Sequence, residues 1–294
     1  MSSPVSPSSG SAKGSNWQDL RPRLISALVL IIVAATAIGA GGVIYGGLII
    51  LTMCGLASEL AGLFGLSTRS WRGVLYLAWA LCAGIVAYTG RWTQLVAFPM
   101  SAFIFGPALW CGNAIIVAAG ASLLWLRLGV DTGIWSVVFV IALVVASDST
   151  AYLVGRLVGG PKLAPSISPG KTRSGAVGGL AGAMLAGMVL AWMSNKNGNL
   201  PLSSVLLRSA GWAVLLGIVA QTGDLIESAV KRRRGVKDSG TLLPGHGGLL
   251  DRFDALLAVA PLAALLSLAA QQGAGFWTVG VGDILAALMR MMGR

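Results

Sequence analysis

Charge is what this chain of 294 residues has least of: 21 Lys and Arg, 10 Asp and Glu and a single histidine, with 11% of residues charged and 55% hydrophobic. Globular chains carry about 25% charged residues, so the deficit excludes an ordinary soluble domain. Cysteine is scarce as well. Cys54, Cys82 and Cys111 sit in apolar runs without partners at metal-ligand spacing, which argues against a disulfide framework and a zinc site. No short apolar stretch ends in a small-residue cleavage site, so no cleaved signal peptide is expected. Few acids also leave a net charge of +11. In so apolar a chain the plainest origin of that charge is cytoplasmic loops rich in Lys and Arg, and no nucleic-acid partner is expected.

What the chain has instead is apolar length, in runs at 24–62, 73–90, 95–126, 134–155, 174–193, 204–230 and 253–271. Several exceed the ~20 residues that cross a bilayer as helix. In lipid every backbone group needs an internal partner, so the spans must be helical. The first run is too long for one span and breaks at Gly39 to Gly42, giving two helices. Glu59, near the end of the second, reads as a polar outlier facing the interface. Arg21 and Arg23 before the first run, and Arg69 and Arg72 after its second helix, place the N-terminus and the first loop in the cytoplasm. The basic segment 156–173 belongs on the same side. An inward span over 134–155 then needs an odd number of earlier crossings, which favours two short ones within 95–126. The expectation is an all-α fold, a polytopic integral membrane helical bundle of about nine transmembrane helices in the cell (inner or plasma) membrane. A disordered cytoplasmic tail covers 1–23 and N-terminal transmembrane helices cover 24–133. A C-terminal transmembrane region that holds the chemistry covers 134–271. The tail 272–294 is too short and interrupted to cross, and lies along the interface.

The scarce charge is concentrated. Gly223 to Asp254 holds five of the ten acidic residues, six of the 21 basic ones and the only histidine, His246. Asp224, Glu227, Ser228 and Lys231 fall at i, i+3, i+4 and i+7, one polar stripe at the cytoplasmic end of a membrane helix. A loop follows whose glycines let the backbone approach a ligand closely. Asp251 and Asp254, three apart, share a face at the start of the last span. Asp224, Asp251 and Asp254 are thus three carboxylates from two helices, able to converge at the membrane surface. Hard oxygen ligands suit Mg²⁺, which keeps waters and takes phosphate oxygens, and nearby Lys and Arg suit the remaining phosphate charge. The plainer alternative is that acids and bases pair to hold loops together. Upstream, Asp148 lies inside an apolar run, where an ionised carboxylate costs about 2.5–3.5 kcal/mol unless it faces protein or a wet cavity. It shares a helical face with Tyr152, Gly155 and Gly159, a small-residue stripe fit to line a polar pocket. The loop PKLAPSISPGKTRSG carries Lys162, Lys171 and Arg173, and its three prolines rule out continuous helix. SPGKT resembles the end of a P-loop, but Pro165 stands where that motif needs glycine, so the P-loop reading fails. Carboxylates and cations in a Gly-rich frame are the chemistry of phosphoryl or nucleotidyl transfer.

One spacing is more specific. Ser228-x-x-Lys231-Arg232, four residues, Lys237-Asp238, then Pro244-Gly245-His246-Gly247-Gly248-x-x-Asp251-Arg252-x-Asp254 resembles the signature of the phosphatidate cytidylyltransferases, or CDP-diacylglycerol synthases. Gly223-Asp224-Leu225-x-Glu227-Ser228, Asp148-x-x-Ala151-Tyr152-x-x-Gly155 and Ser168-Pro169-x-Lys171-Thr172 match as well, so the likeness is detailed over 148–254 and generic before it. Ser174 departs, standing where relatives commonly carry Glu. The resemblance implies Mg²⁺-dependent transfer of CMP from CTP to phosphatidate, giving CDP-diacylglycerol and pyrophosphate for phospholipid biosynthesis. It implies Asp224, Asp251 and Asp254 as metal ligands, and these three with Lys237 as catalytic residues. Lys171, Thr172, Ser228, Lys231, Arg232, His246, Gly247, Gly248 and Arg252 would bind substrate, while Asp148, Tyr152, Glu227 and Asp238 would line a polar pocket. A second cation (K⁺ or Mg²⁺) and a homodimer stay open. The implied partners are CTP, phosphatidate and membrane lipids, at a site facing the cytoplasm. One rival is a CTP-using transferase acting on another lipid phosphate, such as an ether lipid or a polyprenol. Another is a transporter, since intramembrane acids mark ion paths, although the charges gather at one face and no inverted repeat shows. An inactive scaffold is disfavoured by the intact signature.

Overall fold

The computed structural model describes residues 17–95, 102–195, 200–240, 242, 247–271 and 273–292. The first apolar run turns where Gly41 and Gly42 take positive φ, 64° and 50°, a backbone that glycine adopts without strain. Helix α1 spans Trp17–Ala40 and α2 spans Gly42–Leu63. Arg127 closes this turn from far along the chain. Its Nε donates to the Ile38 carbonyl at 2.6 Å and its Nη2 to the Gly39 carbonyl at 3.3 Å, groups that a helix end leaves without partners. Ser70 caps α3 (Trp71–Tyr88), its hydroxyl accepting from the Gly73 N–H at 3.1 Å. Helix α4 (Pro107–Leu128) opens on proline, whose missing N–H is an orphan there in any case. Then come α5 (Gly133–Leu157), a hairpin of β1 (Lys162–Ala164) and β2 (Ser168–Thr172), α6 (Arg173–Ser194), α7 (Leu202–Arg233), α8 (Leu250–Ala269) and α9 (Val281–Met292).

Among the described residues seven helices, α2 to α8, are long and apolar enough to cross a membrane, while the apolar part of α1, Leu28–Ala40, is shorter. The protein is an all-α, multi-pass membrane bundle, and among the described residues the expected count of nine spanning helices is not reached. One of the two missing spans is α1, whose apolar part is short, and the other lies within 95–126. Most of that stretch is a single helix, α4, because its apolar residues run unbroken from Pro107. Ahead of α4, Trp92 and Phe105 lie at opposite ends of the bundle. Trp92 packs edge-on against Trp125 near the end of α4, whereas Phe105 packs against Tyr76 near the start of α3. Residues 96–101, between them, lie outside the described residues. At the N-terminus residues 17–23, expected to be tail, already belong to α1, since arginine and leucine are good helix formers.

Glycine sets the closest helix contact, between α5 and α6. A Cβ on Gly175 would stand 2.7 Å from the Ala151 carbonyl oxygen and 3.3 Å from Cα of Gly155. Small residues let helices meet at backbone distance in lipid, where packing drives association. One end of the bundle is closed by the C-terminal segment: Phe276 and Trp277 are buried against Phe139 at 5.2 and 4.9 Å between ring centres. Arg208 and Trp212 of α7 donate to the carbonyls of Thr278 and Val279 at 2.7 and 2.8 Å. Beyond them α9 exposes Val281, Leu285 and Met289 at i, i+4 and i+8, the apolar stripe of an interfacial helix. The ends of α2, α5 and α7 and the starts of α3, α4, α6 and α8 gather at the opposite end, with the hairpin.

Gly175→Ala should lower the thermal midpoint in detergent, with an overpacking cost of about 1–3 kcal/mol. Gly47→Ala, where a Cβ would meet nothing within 4 Å, should equal or exceed the parent protein. Circular dichroism melts of the two variants give the comparison.

Candidate active site

The hairpin exists because Gly159 and Gly160, both at positive φ, turn the chain after α5, and Lys162 then pairs with Thr172. Thr172 caps α6, its hydroxyl accepting from the Gly175 N–H at 3.1 Å. Ser174, the departure from the family pattern, donates to the Gly159 carbonyl and lies 3.1 Å from the Thr172 hydroxyl, so it ties the start of α6 to the end of α5. This frame delivers Lys171, whose Nζ reaches Asp224 of α7 at 2.5 Å. The Ser228 hydroxyl holds the other carboxylate oxygen at 3.3 Å. The pair borders a cavity of about 470 Å³ between α5, the hairpin, α6 and α7, with Asp148, Tyr152, Arg156 and Thr172 on its walls. Arg156 donates to the Tyr152 hydroxyl at 3.0 Å. Asp148 and Tyr152 both border this cavity.

A second ionic group joins α7 to α8. The Lys231 ammonium lies 2.6 Å from Glu227 and 2.5 Å from Asp251, the three side chains being 12%, 10% and 12% exposed. Glu227 meets the ammonium and lies beside Asp251. Asp251 also accepts from the Ser239 N–H at 3.0 Å and the Gly248 N–H at 3.0 Å. Any side chain at Gly248 would strike Ser239, whose Oγ lies 2.0 Å from the Cβ position.

Asp251 is therefore spent on Lys231 and the loop backbone, and Lys231 on two carboxylates. Lys231 thus stands on Asp251 and Glu227 as Lys171 stands on Asp224. The physical reason is that the first turn of α8 rotates Asp251 toward α7's basic end and loop N–H groups, while Asp254 points one turn deeper. There Asp254 is within Coulombic reach of Asp224, Glu227 and Asp148, and Asp148 within reach of Asp224 and Lys171. Asp148, Asp224 and Asp254, from three helices, are thus within electrostatic range of one another. Among the described residues no three His, Cys, Asp or Glu side chains form a ready metal cage. Mg²⁺ does not require one, being held by one or two carboxylates, waters and substrate phosphates, and the all-oxygen pair Asp224 and Asp254 fits that pattern.

Arg232 ties the end of α7 to the hairpin, donating to the Ile167 carbonyl at 3.3 Å and to Val236 at 3.2 Å. Lys237, Asp238 and Arg252 are exposed around the loop, and Gly247 turns it at φ 80°. His246, Pro244 and Gly245 lie outside the described residues.

Glu59 is the site residue that its sequence context hides. It does not face the interface. It is 7% exposed and accepts from the N–H groups of Leu249 and Leu250 at 2.9 and 2.8 Å and from the Ser239 hydroxyl at 3.3 Å. A helix of the N-terminal half thus caps α8 and pins the loop that presents Asp251. The available signal was the carboxylate itself, since an acid among Leu56 to Ala61 is costly in lipid unless partnered.

Residues 21–269 match the model of the Cytidylyltransferase family. A Brucella abortus biovar 1 (strain 9-941) protein named phosphatidate cytidylyltransferase is 38% identical over 264 residues, 83% of this chain and 92% of its own. One of the same name from Staphylococcus haemolyticus is 42% identical over 134 residues, 46% and 49% of the two chains. An uncharacterised Escherichia coli K12 protein, YnbB, is 37% identical over 193 residues, 64% and 62%.

Glu59→Ala strands two backbone donors, each costing about 1–3 kcal/mol when buried without a partner. Amide exchange at Leu249 and Leu250 should accelerate at least about tenfold, with Glu59→Gln intermediate because its carbonyl still accepts.

Proposed function

The chain belongs to the cytidylyltransferase family, and from that premise we propose that it transfers CMP from CTP to phosphatidate, giving CDP-diacylglycerol and pyrophosphate with Mg²⁺. A phosphatidate phosphate oxygen attacks the α-phosphorus of CTP. The bond from that phosphorus to the β-phosphate oxygen breaks, and pyrophosphate carries the electron pair away. No protein nucleophile is required. Both reactants are anionic, so the residues must suppress their repulsion before the bond can form.

The observation that carries the reading is the Lys171–Asp224 pair at the wall of the 470 Å³ cavity. Asp224, steadied by Ser228, holds the ammonium at a fixed place, where it can receive phosphate oxygens without reorganising. Arg156 on the same wall adds a second cation. Asp224 and Asp254 would hold the Mg²⁺, with Asp148 nearby for a second cation. The metal would supply neutralisation of the triphosphate charge.

The cytoplasm is the side the site faces in this proposal. Arg69, Arg72, Lys162, Arg173 and the run Lys231 to Arg234 all belong to the end of the bundle that carries the cavity, as the positive-inside rule asks. The stacking of the Arg234 guanidinium 4.0 Å from the Phe64 ring puts the ends of α2 and α7 together there.

Purified protein in detergent, given CTP and phosphatidate, should form CDP-lipid and pyrophosphate only when Mg²⁺ is present. Lys171→Met and Asp224→Asn should each lower kcat by about 10²-fold or more with unchanged circular dichroism. Absence of CDP-lipid from the folded parent protein over several phosphatidates would overturn the reading.

A further inference from the structure

Tyr152 and the planar edge of Arg156 border the cavity of about 470 Å³ and have no part yet in the transfer. They lie four residues apart on α5 and so share one face of the helix. Arg156 stands in the last turn of α5, two turns beyond Asp148 toward the basic end of the bundle. Its Nη1 donates to the Tyr152 hydroxyl at 3.0 Å, which fixes the plane of the guanidinium. Among the described residues its Nε and Nη2 donate to no protein group. Both side chains are exposed, Tyr152 by 67%. This turn of α5 lies beside the strand that carries Lys171, since a Cβ on Gly155 would stand 2.9 Å from the Thr172 hydroxyl. Tyr152 is the one aromatic ring in the cavity lining among the described residues, and Leu163 of β1 adds an apolar surface.

Arg156 brings more than its charge. Any cation meets a phosphate, but a flat, uncharged ring needs a face to lie on and partners along its edge. Tyr152 offers the face. The open side of the guanidinium offers two parallel N–H donors in a rigid fork. Cytosine presents O2 and N3, two adjacent acceptors, on one edge. We propose that Tyr152 and Arg156 read the base of CTP, the phenol ring lying against the pyrimidine and the fork donating to O2 and N3. The inference rests on the transferase reading above and adds how the nucleotide is chosen. With the triphosphate at Lys171, the base falls on the neighbouring turn of α5, on the cytoplasmic side of Asp148. Uracil carries a hydrogen on N3, so there the fork meets a donor and loses one of its two bonds. The phenol hydroxyl, by holding Nη1, keeps the fork turned to the cavity.

Initial rates with CTP and with UTP, at saturating phosphatidate, test this. Arg156→Lys keeps the charge and loses the fork. Its kcat/KM for CTP should fall about 30-fold while that for UTP stays within about twofold of the parent value. Tyr152→Phe keeps the ring and frees the guanidinium, and should lose about fivefold of the preference for CTP. Tyr152→Leu removes the stacking face and should lower both nucleotides alike, by about tenfold. An equal fall for CTP and UTP in Arg156→Lys means that the arginine acts as a charge alone, and an unchanged ratio means that it does not meet the base; either result overturns the proposal. A raised KM for phosphatidate with the ratio intact puts the pair on the lipid headgroup and sinks it as well. Titration calorimetry with each nucleotide separates the base site from the reaction. A parent protein that binds both nucleotides equally ends the proposal. One that forms no CDP-lipid yet binds CTP over UTP, with the preference lost in Arg156→Lys, would overturn the transfer and leave the base site standing.

Discussion

The Lys231 ammonium, enclosed between Glu227 and Asp251 at 2.6 and 2.5 Å, fixes the end of α7 against the start of α8. Charges taken out of water carry a desolvation cost that their attraction offsets only when the remaining hydrogen-bonding groups are also met. Asp251 meets that condition through the N–H groups of Ser239 and Gly248, so the loop between the helices hangs from the same carboxylate that binds the lysine. Loss of Lys231 would leave the two carboxylates without their counter-charge, at roughly 3–5 kcal/mol. With the helices locked at this point, Asp254 one turn further on comes within Coulombic reach of Asp224 on the facing helix.

The N-terminal helices are part of this arrangement. Glu59 of α2 binds the first amides of α8, and α2 and α4 supply one side of an apolar cavity against α7 and α8. A boundary near residue 133 is reasonable on composition, yet the two regions share one polar network and one cavity wall. The hydrophobic half is chemically generic in sequence and specific in place.

Much of this was legible from local pattern. The glycines at 41 and 42 mark the first turn. The i, i+4 relation of Asp224 and Ser228 becomes a hydrogen bond, and that of Glu227 and Lys231 an ion pair. Gly155 meets the facing helix at backbone distance, as a small residue beside an acid foretells. What local pattern does not carry is choice of partner over long separations. Lys171 and Asp224 are 53 residues apart, and Glu59 and Leu250 are 191 apart. Asp251 and Asp254 look equivalent as a pair spaced by three, but one turn of helix separates a loop anchor from a carboxylate within reach of Asp224. The short hairpin was also hidden, since prolines announce only that helix stops. Within 95–126 hydropathy reports an apolar run without saying where the chain breaks.

Arg127 has a consequence for how the chain is made. The last carbonyls of α1 find their donor 89 residues downstream, in a guanidinium on the end of α4. A growing chain enters the membrane from its N-terminus, and until residue 127 has emerged those carbonyls have only water to bind. In the folded protein α4 supplies those donors, so the turn between the first two helices is completed by a residue near the end of the N-terminal half.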